Sequence, residues 1–488
     1  MDFLSSNWPG LALFVGVPLA ACFLVNCAVR HIPNNCVGIV EKLWSSTGSL
    51  GEGNLIATDG KAGYQARLLR GGVHVGYWRW QYRIHKVPLV TVKQGCIAYV
   101  FARDGLPLDS GQTLGRVVDS NNFQDAEKFL VNDGQKGRQR AILREGVYPI
   151  NLAQFNVITQ DGVFHLGNER NTLEGWQSAL KEIGGFYPVV IAAQQDNIGI
   201  VTCHDGPSLA PGEIIAPPVS TDADDPDFHN NYQDPEAFLR AGGRRGRQYA
   251  PLTDGTYFIN RWFATVELID KKIVPIGFVG VVVSYYGLAG RDLSGTNFRH
   301  GERVQEGERG VWAKCLGPGK YPFNTYAGSV VLVPTTNFVL HWITGKSEGH
   351  HYDDNLKSID LVTKDAYEPT LPLSVVVHID YEKAPSVIQR FGDVKQLITQ
   401  TLDPMLSAYF RDVAHRRSML ELIHERDRIQ VEAREELRRK FSAFDIECVD
   451  VLIGKPETAS ENGAIETLLD QLRQRQLATE QMETFARQ

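Results

Sequence analysis

Short runs of β-branched and aromatic residues, separated by glycine-rich polar segments, recur through the first two thirds of this chain. Apolar and polar residues alternate after each run, which is typical of half-buried β-strands. Four such runs occupy residues 37–40, 96–100, 198–201 and 278–283. They predict four tandem small β modules, modules 1 to 4, at residues 36–93, 94–194, 195–270 and 271–345. Residues 162–193 are predicted to be an insertion with a short helix and a strand, and residues 205–235 a loop.

The modules share an internal repeat. Residues 122–151 recur without a gap as residues 231–260, and sixteen of the thirty positions are identical. A shorter skeleton of Gly, Gly, Leu, Gly and an aromatic residue or His occurs four times: Gly60, Gly63, Leu69, Gly72, His74; Gly134, Gly137, Leu143, Gly146, Tyr148; Gly243, Gly246, Leu252, Gly255, Tyr257; and Gly307, Gly310, Leu316, Gly319, Tyr321. The last three copies add Asn151, Asn260 and Asn324. Repeated units bury their apolar faces on one another, so the repeat indicates architecture rather than a catalytic centre.

The third glycine of each copy, at positions 72, 146, 255 and 319, is a predicted structural turn position. Glycine is favoured there because it adopts positive φ at little cost. A phosphate-binding loop is the alternative, but no copy ends in Gly-Lys-Ser/Thr. The duplicated pairs Arg138-Gln139 and Arg247-Gln248 are expected to cap their own turns, and a partner surface shared by both repeats is the alternative.

The N-terminus is predicted to be a membrane anchor, residues 1–30. Residues 10–29 are uncharged and mostly apolar, and such a helix of roughly 30 Å matches the hydrocarbon core of a bilayer. A cleaved signal peptide is the alternative, but Asp2 is the only charge before the apolar segment. Arg30 and Lys42 follow the segment and no Lys or Arg precedes it. The positive-inside rule therefore predicts a single-pass protein of the inner (cell) membrane with a cytoplasmic body.

An aromatic stretch in module 1, residues 77–84, suggests contact with that membrane. On a strand, Trp78, Trp80 and Tyr82 would share one face, with Arg79 and Arg83 on the other. Aromatic rings beside cations suit the bilayer interface. An amphipathic strand that packs on its own module is the alternative.

The C-terminal third has a different pattern, with an α/β region predicted at residues 355–458. Strands are expected at 361–363, 371–379 and 446–453, and a mainly helical segment at 380–441. Pro404 is expected to begin or kink a helix, and Pro456 to end the last strand. From residue 461 to 488 a helix is predicted to start a coiled-coil stalk. Its candidate oligomer contacts are Ile465, Leu469 and Leu472.

Composition excludes several functional classes. The chain has 488 residues, 43% hydrophobic content and a net charge of −7, which disfavours nucleic acid as a partner. Its seven cysteines lack CxxC spacing, so neither a disulfide framework nor a zinc site is expected. His350-His351 with Asp353-Asp354 is interpreted as a polar loop rather than a metal site. No catalytic residue, cofactor or metal ligand is predicted.

The order of motifs in the C-terminal part resembles the SPFH or band 7 superfamily of stomatins, prohibitins, flotillins and HflK/C proteins. The motifs lie at residues 317–323, 362–365, 378–381, Arg416-Arg417, Leu420, 446–451 and Pro456, within a match that spans 277–488. Two features depart from the family: Phe444-Asp445 stands where many members have Gly, and the β unit occurs four times. The chain therefore resembles an enlarged bacterial-type member.

The resemblance implies a membrane-attached, generally non-enzymatic protein that assembles into rings or cages. The expected fold class is α+β multidomain: an N-terminal transmembrane helix, four tandem small β modules, a band 7 α/β domain and a C-terminal helix. The leading function is a homo-oligomeric scaffold that organises a membrane microdomain, with membrane lipids and copies of itself as partners. One alternative is a regulatory subunit that encloses another membrane protein, a protease or transporter. The other is a membrane-anchored hydrolase whose site is not recognised.

Overall fold

The structure is a computed structural model that describes residues 27–294 and 302–458, together with the helical residues Gln474, Ala478, Gln481 and Met482. The fold is mixed α+β, as predicted. The chain divides into two compact units, Met1–Lys271 and Lys272–Gln488. Modules 1 to 3 lie in the first unit. Module 4 and the α/β region lie in the second.

All four modules have one topology. A central strand pairs antiparallel with a repeat strand on one side and a closing strand on the other. Each module also has a separate two-stranded antiparallel ribbon. Its first strand precedes the central strand in the sequence, and its second strand follows the repeat strand.

The strand bounds follow this scheme from module 1 to module 4. The first ribbon strands are Val29–Ile32, Val90–Val92, Val189–Ile191 and Lys272–Val274, and the central strands are Cys36–Lys42, Ala98–Ala102, Asn197–Cys203 and Phe278–Ser284. The repeat strands are Gly63–Leu69, Gly137–Leu143, Gly246–Arg247 and Gly310–Trp312, and the second ribbon strands are Gly72–Val75, Gly146–Tyr148, Gly255–Tyr257 and Gly319–Tyr321. The closing strands are Tyr82–Pro88, Phe155–Ile158, Ala264–Asp270 and Gly328–Pro334. Short strands Ile56–Ala57, Val163–Phe164 and Arg303–Val304 extend three of the sheets.

The repeated Leu lies opposite a small residue of the central strand in every module. The pairs are Leu69 with Gly38, Leu143 with Ala98, Leu252 with Gly199 and Leu316 with Gly280. A Cβ on Gly199 would lie 3.3 Å from the Leu252 Cβ and 3.0 Å from Ile191 of the ribbon. The small residue therefore makes room for the Leu and the ribbon to pack together.

The module bounds differ from the prediction because each module begins with its first ribbon strand. Val29 and Arg30, predicted to belong to the membrane anchor, lie in the strand Val29–Ile32, which pairs with Gly72–Val75. Likewise Val90–Val92 belongs to module 2 and Val189–Ile191 to module 3. Val29 continues the uncharged segment without a break, so hydropathy does not show that the strand begins there.

The duplicated segment also contains a helix, which the β prediction missed. Helices Ala126–Val131 and Pro235–Arg240 occupy equivalent positions, each with an N-cap Asp, Asp125 or Asp234, that accepts from backbone N–H groups of the first turn. Three consecutive left-handed residues precede each cap: Asn121, Asn122 and Phe123, and Asn230, Asn231 and Tyr232. In the insertion before module 3, helix Arg170–Glu182 is observed as predicted, and residues 205–234 hold neither a helix nor a strand of the described elements.

The α/β region has two three-stranded sheets, one of Phe338–Trp342, Leu373–His378 and Glu447–Ile453, the other of Ile359–Asp360, Pro369–Leu371 and Glu457–Thr458. Helices Ala384–Phe391, Val394–Leu397, Asp403–Arg416, Met419–His424 and Arg426–Ser442 pack against them, with a π-helical turn at Ile398–Leu402. Pro404 lies in the first turn of the helix Asp403–Arg416, directly after the π-helical turn. The strand predicted at 361–363 is wrong: those residues follow Ile359–Asp360, and Thr363 Oγ1 closes a turn with Asp365 and Tyr367.

Two predicted helices fall outside the described residues: the span 10–29, apart from its last three residues, and the stripe of Ile465, Leu469 and Leu472. Within the described ranges, no helix combines the length and the apolar character that a bilayer span needs.

Candidate functional site

The repeat is used to join consecutive modules. The side-chain amide of Asn151 in module 2 donates to the carbonyls of Gln65 (3.0 Å) and Ala66 (3.1 Å) in the repeat strand of module 1. The amide of Asn260 in module 3 donates to the equivalent carbonyls of module 2, Gln139 (3.0 Å) and Arg140 (2.8 Å). Both Asn residues are buried. We call each of these contacts an Asn clip.

Each clip residue also shapes its own turn. The Oδ1 atoms of Asn151, Asn260 and Asn324 accept from the N–H two residues later, at Ala153, Trp262 and Tyr326. One side chain thus fixes a turn in its own module and, in modules 2 and 3, holds the strand of the module before. Asn is suited to this because its amide carries both donors and acceptors.

The strand that receives the clip is shaped by a repeated Gln. The amides of Gln65, Gln139 and Gln248 reach back to the carbonyls two and four residues earlier, at 2.7–3.0 Å. In module 4, Trp312 Nε1 donates to the carbonyl of Glu308, also four residues back. These bonds show Gln139 and Gln248 capping their own turns. Arg138 instead stacks on Trp176 and Trp262, with its Cζ 4.7 and 5.2 Å from the ring centroids, and Arg247 Nη2 lies 3.9 Å from Glu267.

The third glycine and the aromatic residue of each copy act as a pair. His74 Nε2 and the hydroxyls of Tyr148, Tyr257 and Tyr321 lie within 3.0 Å of the carbonyl four residues earlier. In modules 2 to 4 the ring covers its glycine, whereas a Cβ on Gly72 would meet no atom within 4 Å. The φ angles of Gly72, Gly146 and Gly255 are 130°, 152° and 159°. Gly319 differs: it is outside the positive-φ region, and a Cβ there would lie 3.5 Å from Tyr321.

A buried carboxylate strengthens each joint. Asp104 Oδ2 accepts from the N–H groups of Leu55 (2.6 Å) and Ile56 (2.8 Å) in module 1. At the equivalent position of module 3, Asp205 Oδ1 accepts from the N–H and hydroxyl of Thr113 in module 2, both at 2.9 Å. Sequence reasoning missed these residues, although a signal existed: the dipeptides Asp104-Gly105 and Asp205-Gly206 are each separated from the end of a central strand by one residue.

The joint between modules 2 and 3 contains a buried ion pair. Arg140 Nε lies 2.8 Å from Asp205 Oδ2, and Arg140 Nη1 lies 2.8 Å from Glu236 Oε1. The Asp205 side chain has no exposed surface and that of Arg140 is 9% exposed. The corresponding joint between modules 1 and 2 has an exposed pair instead, Arg67 with Glu127.

A cleft of about 530 Å³ opens beside Arg140, and its walls include Arg116, Arg245, Asp109 and Glu236. Arg140 and Glu236 pair with each other, Arg116 donates to the carbonyl of Asp133 at 3.0 Å, and Arg245 donates to the Ser208 hydroxyl. A smaller cleft lies beside Arg67 and Glu127 at the other joint. The clefts are therefore a consequence of stacking two modules.

One chain of hydrogen bonds in the second unit resembles a hydrolase triad. Ser374 Oγ lies 2.7 Å from His341 Nδ1, and His341 Nε2 lies 2.8 Å from Glu348 Oε1. Ser374 is on the middle strand of its sheet, so its neighbouring N–H groups serve the sheet rather than a developing oxyanion. Glu348 belongs to the loop at 343–358, and the chain of bonds fixes that loop to the sheet.

The same loop contains the polar cluster considered as a metal site. Asp353 is fully buried and accepts from Ser347 Oγ (3.1 Å) and the N–H groups of Glu348 and His341. His350 lies 2.9 Å from the carbonyl of Val339 and His351 lies 3.2 Å from Asp354. In the part of the chain that the structure describes, no three His, Cys, Asp or Glu side chains are placed to hold a metal ion.

Two of the family motifs, residues 362–365 and Arg416-Arg417, meet at the start of the helix Met419–His424. The N–H of Lys364 donates to the carbonyl of Arg417 (3.0 Å), and Asp365 accepts from the N–H of Met419 (3.1 Å). Burial raises the pKa of Asp365, but the hydrogen bonds from Thr363 and Met419 outweigh that effect and hold it below its ordinary value. Arg417 also bridges Glu425 (2.9 Å) and Glu432 (2.7 Å).

Residues 272–487 match the family model described as SPFH domain / Band 7 family. The chain carries an SPFH domain of the band 7 family. This finding confirms the resemblance for residues 272–487. No curated protein matches the chain.

The SPFH domain begins at Lys272, the first residue of module 4. Module 4 is therefore part of the domain, and modules 1 to 3 are additional units of the same topology. The departure at Phe444-Asp445 also has an explanation. Asp445 has a φ of 62°, a conformation that glycine adopts freely, and its carboxylate accepts from Ser386 Oγ at 2.6 Å.

The structure separates the three aromatic candidates for membrane contact. Trp78 and Trp80 are not on a strand; they lie in a turn that precedes the strand Tyr82–Pro88, with their rings stacked 4.7 Å apart. Tyr82 packs with Tyr77 and Ile84 against a small core of module 1 that includes Ile32 and Val40. The shared strand face expected for the three is therefore wrong.

Proposed function

We propose that this protein is a membrane-anchored scaffold that assembles with copies of itself into a ring or cage and organises a membrane microdomain. One observation carries the proposal: module 4, which lies inside the SPFH domain, has the same topology as modules 1 to 3. The chain is thus an SPFH domain preceded by three further copies of its own β module. Stacked copies add length and surface rather than a reaction centre.

The anchor belongs to the same proposal. The part of the uncharged segment 10–29 that precedes the strand Val29–Ile32 spans the inner membrane once, and Arg30 and Lys42 favour a cytoplasmic body. A membrane-impermeant thiol reagent tests the orientation in intact cells, since Cys315 in module 4 is partly exposed. Labelling should require permeabilised membranes. Labelling from outside the inner membrane would reverse the orientation.

The contacts of the two units favour a scaffold over a hydrolase. The polar groups of the Asn clips and of the buried ion pair are bonded to one another across the joints, whereas a catalytic site would need them free for a substrate. The N–H groups beside Ser374 are bonded within its sheet, so they are not available as oxyanion donors. The helix Arg426–Ser442 pairs its charges with its own unit, as in Arg438 with Glu447 (2.6 Å) and Arg434 with Asp450 (3.8 Å). These charges stabilise the fold rather than form an open cationic surface.

Self-association is tested by co-expressing the full chain with two different affinity tags. Purification through one tag after detergent extraction should recover the other tag in comparable amount. The double variant Leu469→Ser/Leu472→Ser tests the predicted apolar stripe of the C-terminal helix. A lone amphipathic helix is marginal in water and needs a partner helix. The variant should therefore weaken co-purification of the two tags. Recovery of a single tag from the wild-type chain would contradict the scaffold.

A further inference from the structure

Module 1 departs from the repeat at the clip position. Modules 2, 3 and 4 have Asn151, Asn260 and Asn324 three residues after the repeated Tyr, whereas module 1 has Tyr77 three residues after His74. The turn that follows carries Trp78 and Trp80. The first module of the stack thus replaces the residue that clips a preceding module with aromatic side chains.

This turn is tied to the chain that leaves the predicted membrane span. The carbonyl of Cys27 accepts from the N–H of Arg79 (3.1 Å), and that of Ala28 accepts from the N–H groups of Gly76 (3.0 Å) and Tyr77 (3.1 Å). The N–H of Leu43 donates to the carbonyl of Gln81 (2.8 Å), which brings Leu43 and Trp44 to the same end of the module. The apolar segment 10–29 therefore enters module 1 beside the tryptophans.

The side chains at this end are apolar and exposed. Leu43 is 44% exposed, Trp44 53%, Val75 71% and Trp80 56%. A cation accompanies them: the Arg83 side chain is 64% exposed and lies 3.7 Å from Glu41. Glu41 is the one carboxylate within residues 27–44 and 76–84, and it lies closer to His85, at 2.8 Å. Exposed tryptophan beside cations matches the headgroup region of a bilayer, where the ring is half solvated and phosphate supplies the negative charge.

We propose that the end of module 1 formed by Leu43, Trp44, Val75 and Trp80 lies in the interfacial region of a phospholipid bilayer. This inference rests on the proposed function, since it requires the chain to be at a membrane. It assigns the bilayer, rather than a second copy of the chain, as the partner of this surface, because the apolar segment 10–29 enters the module at this point. Tyr82 takes no part, since it packs inside the module.

Lipids brominated along their acyl chains test the proposal, because bromine quenches tryptophan at short range. The full chain is reconstituted in vesicles of phosphatidylcholine and phosphatidylglycerol, with and without the brominated lipid. The variant Trp44→Phe/Trp80→Phe should lose much of the bromine-quenched emission of the wild-type chain. Both rings are more than half exposed, so the variant should fold. The matched control Trp342→Phe changes a fully buried ring of the second unit and should keep that quenching.

Equal quenching of the wild-type chain and the Trp44→Phe/Trp80→Phe variant would overturn the inference. An alkaline carbonate wash of the same vesicles separates this result from a failure of the proposed function. If the chain stays with the vesicles and the quenching is equal, the anchor stands and the interfacial surface is refuted. If the wash removes the chain, the membrane anchor itself is refuted.

Discussion

The side-chain amide of Asn260 donates a hydrogen bond of 3.0 Å to the carbonyl of Gln139, a residue 121 positions earlier in the chain. The same bond joins Asn151 to Gln65 across the preceding joint. The duplicated sequence thus provides equivalent donors and acceptors, and modules 2 and 3 each supply the donor for the module before.

Asn260→Ala should destabilise the first unit by about 1–3 kcal/mol, because two buried carbonyls lose their donor. Urea denaturation measures the change, and hydrogen exchange should rise around residues 137–143. Asn54→Ala changes an exposed Asn in module 1 and provides the matched control. Equal stability of the two variants would show that the clip does not hold the modules together.

Gly146→Ala and Gly255→Ala should each cost about 1–3 kcal/mol, because their φ angles of 152° and 159° strain a residue with a Cβ. The added Cβ of Gly255 would also lie 2.9 Å from the Tyr257 hydroxyl oxygen. Gly319→Ala occupies the same repeat position without positive φ and should be nearly neutral. Thermal melting of the three variants distinguishes the sites. If Gly319→Ala lowered stability as much as Gly146→Ala, positive φ would not be the cause of the destabilisation.

Asp205→Ala should cost about 3–5 kcal/mol, because it removes the fully buried one of the two carboxylates that pair with the Arg140 guanidinium. Glu127→Ala removes the carboxylate of the exposed pair at the other joint and should cost about 0–1 kcal/mol. Denaturation at two salt concentrations provides the measurement, and added salt should reduce only the Glu127 effect. Similar losses for both variants would contradict the difference in burial.

Stability should fall in alkali partly through Cys448. Burial raises the pKa of this thiol from 9.0 to about 11, so the folded state disfavours the thiolate. Its contribution to stability is fully present below the unfolded pKa near 9 and is lost as the pH rises towards 11. Cys448→Ala should therefore show a smaller drop in melting temperature between pH 8.5 and pH 10.5 than the wild-type chain. Parallel pH profiles would contradict the assignment.

The local part of the fold is readable from the sequence. The repeat strands begin at the second skeleton glycine and the second ribbon strands at the third, since glycine, Leu and the aromatic residue interact within a few residues of one another. The helices Ala126–Val131 and Pro235–Arg240 were missed because six residues are too few for helical periodicity. The N-cap residues Asp125 and Asp234 were the available signal.

The joints could not be predicted, because their partners are distant in sequence. Nothing local to Asn260 indicates that its acceptors are Gln139 and Arg140, and the repeat shows only that the residue recurs. The same reason explains why Tyr82 was predicted to contact the membrane. The alternating pattern around it fits an outward face as well as the inward face on which Tyr82 lies. Strand alternation gives two faces and does not say which one is covered.

Particle imaging of the full chain, extracted in mild detergent, tests the scaffold most directly. Heterologous contacts between identical chains close into a ring when the rotation between neighbours permits. We predict large closed particles of one size across a range of protein concentrations. A monodisperse monomer or dimer over that range would contradict it.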